Sequence, residues 1–94
     1  MPWVLIRSKV KDFAVWKPVF DENSAARKAA GSKGGYLFQT DGDPNEVTVF
    51  LQVESLVEAR KFAASDDLRQ AMERAGVVGP PEILYLNDAG QFST

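Results

Sequence analysis

With no histidine and no cysteine among 94 residues, the side chains left to do chemistry are few. The commonest general base, the commonest metal ligand and every thiolate reaction are excluded together. Among the polar and aromatic side chains, Arg7, Trp16, Tyr36, Gln52 and Tyr85 are the candidates for chemistry. An arginine beside an aromatic wall can orient an anionic phenolate or enolate through charge-assisted hydrogen bonds. Around those five, Phe20, Phe38, Phe50, Phe62 and Met72 complete a candidate ligand cleft.

Each of these residues also has a plainer role. Trp16, Phe20, Phe50, Phe62 and Met72 read first as core filling, because aromatics dominate burial in small domains, and only second as a cleft lining. Arg7 and Gln52 share a register with Trp3, Leu5 and Phe50, so they either touch a ligand or bond across an interface between two copies. Tyr36 and Tyr85 fit as packed rings with bonded hydroxyls. Two apparent motifs dissolve on inspection. Asp41, Asp43 and Asn45 imitate the start of a calcium loop, but Glu46 replaces its glycine and Gln52 its bidentate glutamate. Gly31 to Gly35 is glycine-rich, yet it follows a helix and lacks the Gly-Lys-Ser/Thr ending of a phosphate loop. No metal site and no cofactor are expected.

The elements that must hold these residues alternate between strand and helix. Residues 3–10 form a first strand, apolar on both faces at its start. Asp12 caps a helix whose Phe13, Trp16 and Phe20 make one stripe. Pro18 either opens the main helix after a short first turn or kinks it, and Gly31 ends it. Residues 36–40 form a second strand, residues 41–45 a turn, and residues 46–54 a third strand. Ser55 and Glu58 form a capping box, a second cap at Ser65-Asp66 restarts the helix, and Gly76 closes it. Residues 77–81 read as a stiff connector, 82–87 as a fourth strand and 88–94 as a polar tail. The aliphatic row Val47, Val49, Leu51, Val53 belongs in the tighter, drier layer.

This order, βαββαβ, is a ferredoxin-like split with a four-stranded antiparallel sheet in one α+β domain spanning residues 1–94. A sheet apolar on both faces needs cover on both. Helices supply one layer, and a chain this short buries only roughly 60–70% of its unfolded surface, so a second copy is the expected other layer. The charge balance, 11 basic against 13 acidic residues with the basic ones scattered, argues against nucleic acid. The opening residues are too short and too interrupted for a signal peptide or membrane span, which leaves a cytoplasmic protein as the expectation.

The runs DFAVWKPVFDENSAARKAAGSKGGYLFQ, DPNEVTVFLQVESLVEARKFAASDDLRQAM and AGVVGPPEILYL resemble the antibiotic biosynthesis monooxygenase-like group of dimeric α+β barrel proteins, from about Val4 to Leu86. The resemblance implies a homodimer with two sheets face to face, helices outside, and a hydrophobic or aromatic small molecule held between helices and sheet in each subunit. It implies three activities: cofactor-independent oxygenation, haem degradation and polyketide cyclisation. Haem degradation needs an iron-binding histidine that is absent here, and the asparagine usual near the end of the first strand is replaced within Arg7-Ser8-Lys9. Cyclases of this fold pair a histidine with a tyrosine, of which only the tyrosine has a counterpart. The alternative is a non-catalytic small-molecule-binding or stress-associated dimer that kept the fold and lost the chemistry.

Overall fold

A computed structural model describes all 94 residues. Its elements are β1 (Trp3–Val10), α1 (Phe13–Glu22), α2 (Ser24–Ala29), β2 (Ser32–Thr40), β3 (Asp43–Val53), α3 (Leu56–Ala63), α4 (Asp66–Ala75) and β4 (Val77–Leu86). The four strands form one antiparallel sheet in the order β2-β3-β1-β4. The fold is therefore the expected α+β ferredoxin-like split. No helix is long and apolar enough to cross a membrane.

Local chemistry explains where the helices begin and end. Asp12 accepts from the Ala14 N–H at 2.9 Å, and Asn45 on β3 accepts from the Phe13 N–H at 2.9 Å, pinning the first turn of α1 to the sheet. Ser55 accepts from the Glu58 N–H and Ser65 from the Leu68 N–H, so both caps form. Only half of the capping box is made, because the Glu58 carboxylate turns to Lys61. α4 stops at Gly76, whose φ of 79° is the left-handed conformation a glycine adopts freely.

Four boundaries differ from the sequence reading, each for a physical reason. α1 runs through Pro18, one turn inside the helix, where only the bond to the Ala14 carbonyl is lost, and the chain breaks at Asn23 instead. β2 starts at Ser32, not Tyr36, because a bulge at the glycine pair lets the strand lie close on β3; a Cβ on Gly35 would fall 2.0 Å from the Phe50 carbonyl oxygen. The β2–β3 turn shrinks to Asp41-Gly42, with Thr40 opposite Asp43. The expected connector 77–81 is strand: Val77 and Val78 pair with Val10 and Lys9, and Gly79, Pro80 and Pro81 bulge out opposite Ser8. β4 is an edge strand, where prolines cost no ladder bond on the open side.

Register sorts every strand residue to a face. Under the helices lie Val4, Ile6, Ser8 and Val10 of β1 and Val47, Val49, Leu51 and Val53 of β3. Ala71 and Ala75 are the buried residues of α4 and face this layer. The opposite face carries Trp3, Leu5, Tyr36, Phe38, Phe50, Leu84 and Leu86. Trp3 stacks on Phe50 at 4.4 Å between centroids, and Tyr36 and Phe38 extend the array. One end of that face is charged, with Arg7 paired to Glu82 at 2.6 Å and Lys9 to Asp43 and Glu46. The molecule is 35 × 33 × 20 Å, the thickness of one helix layer on one sheet, and only nine residues are buried. Within the chain nothing lies over the aromatic face, where Tyr36 and Phe38 remain more than half exposed.

Candidate functional site

Between helices and sheet lies a cavity of about 120 Å³. Its floor is the aliphatic row of β1 and β3 with Ile83 of β4, and its roof is Trp16, Val19 and Phe20 of α1, Phe62 of α3, and Leu68, Ala71 and Met72 of α4. The aromatic wall is preset: Trp16 and Phe20 stack at 4.8 Å, and Phe13 supports Trp16 from behind at 5.8 Å. Apolar cavities of ~150 Å³ admit a benzene ring, so the space suits one flat aromatic ring.

Four polar side chains interrupt this wall: Ser8, Asn23, Arg27 and Ser32. Ser8 is buried opposite the β4 bulge, and its hydroxyl makes no hydrogen bond within the chain although no occluded polar atom is left unpaired. The hydroxyl therefore opens onto the cavity. Arg27 is half-buried on α2, with its guanidinium carbon 3.8 Å from the Phe20 ring centroid. Its Nη1 donates to the Phe20 carbonyl at 2.7 Å. Burial pushes its pKa below the ordinary arginine value, with the Asp21 charge acting the other way. Arg27 is the one ionisable side chain in the cavity wall.

The ten residues singled out from sequence divide between two faces. Trp16, Phe20, Phe62 and Met72 meet around the cavity. Arg7, Tyr36, Phe38, Phe50 and Gln52 lie on the far side of the sheet, beyond reach of it. Tyr85 stands on the helix side opposite Val4, outside the cavity wall, with Arg60 4.5 Å above its ring. Sequence reasoning missed Ser8, Asn23 and Arg27. The stripe of Phe13, Trp16 and Phe20 carries that signal, since continuing it by helical steps reaches residues 23 and 27 across the break at Asn23.

Comparison with known proteins agrees at the level of fold. Solved antibiotic biosynthesis monooxygenase-like proteins superpose on nearly the whole chain. A protein of Bordetella bronchiseptica, provisionally assigned as an antibiotic biosynthesis monooxygenase, gives a TM-score of 0.78 at 15% identity, covering 94% of this chain and 96% of its own. A similarly assigned protein of Caulobacter crescentus gives 0.73 at 21% identity, over 95% and 90%. A Streptomyces coelicolor monooxygenase, solved in complex with the ligand nanaomycin D, gives 0.69 at 17% identity, over 99% and 91%. No protein-family profile matches the sequence, and no curated protein matches it. At these identities the likeness establishes a shared architecture.

Proposed function

We propose that the chain is a small homodimeric protein of the antibiotic biosynthesis monooxygenase-like group that binds a hydrophobic, aromatic small molecule in the helix–sheet cavity. The stacked Trp16–Phe20 wall over an aliphatic floor carries this reading, because ligand sites are mostly apolar with a few placed polar groups. The dimer joins through the aromatic sheet face, whose size and composition exceed the scattered apolar residues normal on a monomer surface. Its charged end, Arg7–Glu82 and Lys9–Asp43/Glu46, forms the rim of that interface.

Binding is better supported than turnover. The cavity wall offers a cation and hydroxyl and amide groups but no carboxylate, imidazole, lysine or thiol to act as base. The oxygenase reading draws on the fold and on the ligand-bound S. coelicolor relative. In this chain it requires a substrate that ionises on its own, with Trp16, Phe20 and Phe62 excluding water around it. Calorimetric titration with phenol tests the binding itself. One molecule binds per chain, with the negative heat-capacity change of apolar burial. Absence of saturable heat would remove the ligand reading.

A further inference from the structure

Resting on that reading of the cavity, we propose that it selects aromatic molecules bearing an ionised acidic group, and that Arg27 is the counter-ion that selects them. Arg27 makes no ion pair, unlike Arg7, Lys9, Lys17, Lys33, Lys61 and Arg69. Asp21, the carboxylate whose charge reaches it, is bound by both oxygens to Lys17 at 2.7 Å. A guanidinium stays protonated at neutral pH and carries five N–H donors, of which the Phe20 carbonyl takes one. A half-buried cation with donors to spare and no partner is an unfavourable arrangement in an apolar wall, and a bound anion relieves it.

Geometry favours a planar acid in particular. The Phe20 ring and its carbonyl fix the guanidinium from two sides, so its orientation is set before a ligand arrives. The same Phe20 stacks on Trp16, which continues the wall into the cavity. A ring lying along that wall with a carboxylate or phenolate at its end meets Arg27 at one extremity. The free Ser8 hydroxyl, and the Asn23 amide that makes no side-chain hydrogen bond, remain for a second polar substituent.

The test compares two nearly isosteric one-ring probes, benzoate and benzamide, by calorimetry on the intact protein. The acid binds about tenfold or more tighter than the amide, and added salt narrows the gap. Arg27→Gln brings the ratio of the two affinities close to one, and Arg27→Lys restores part of it. A role limited to tethering Phe20 would weaken both probes together and leave the ratio where it was, which overturns the assignment to Arg27. Equal binding of both probes to the unaltered protein overturns anion selection while leaving the cavity reading intact. Failure of both to bind overturns the cavity reading and this inference with it.

Discussion

Phe50→Asp converts the protein to a monomer at concentrations where the unaltered chain is a dimer. Phe50 lies mid-sheet on the aromatic face, stacked on Trp3 at 4.4 Å and paired across β2–β3 with Tyr36. A two-fold interface repeats every residue, so one substitution introduces two carboxylates into the same apolar layer. Taking each out of water without a partner costs several kcal/mol, so the dissociation constant rises by about a thousandfold or more. The fold itself survives. Within one chain Phe50 is covered only by its neighbours on the open face, and losing the stacked pair removes ~0.5–1.5 kcal/mol beyond its area term. Light scattering after size exclusion reports the mass, and circular dichroism reports the fold. A dimeric Phe50→Asp protein would show that this face is not the interface.

Ala71→Phe abolishes ligand binding without unfolding the protein. Ala71 is buried on α4 and lines the cavity roof opposite the aliphatic floor. A phenyl ring at this position enters space of about 120 Å³, the volume on which a one-ring ligand depends. In a close-packed core the same change would cost ~1–3 kcal/mol through strain. Here the ring fills a void and gains contacts the alanine lacks, so the melting temperature stays within a few degrees of the parent, on the order of a 1 kcal/mol change. The affinity for phenol falls by about a hundredfold or more, roughly the transfer energy of one buried ring. Retained affinity in a well-folded variant would place the ligand elsewhere.

The sequence disclosed the helix ends because capping is local chemistry: Asp12, Ser55, Ser65 and Gly76 sit where their side chains or backbone require. Strand limits were less legible because they depend on partners. Prolines argue against strand until β4 is known to lie at an edge, and Gly34-Gly35 looks like a break until β3 is known to lie against it. The site was half legible. Trp16 and Phe20 announce themselves as a helical stripe, but β1 begins apolar on both faces and β3 sets its aliphatic row against a mixed row that includes Phe50, so parity alone cannot say which face the helices cover. Arg7 and Arg27 look alike in sequence. The sheet register places Arg7 beside Glu82 on the far face, and the phase of α1–α2 places Arg27 against Phe20. The principle sought at Arg7, an arginine beside an aromatic wall, is present at Arg27.

On the proposed reading, a small aromatic molecule occupies the space between helices and sheet. Proton–nitrogen correlation NMR during titration with phenol is the decisive measurement, because the two tryptophans report on opposite faces. Saturable shifts of the Trp16 indole N–H and of the Ser8, Val49 and Ala71 amides are expected, with the Trp3 indole little changed. Shifts centred on Trp3, Tyr36 and Phe50, with Trp16 silent, would contradict that reading and assign the ligand to the open sheet face.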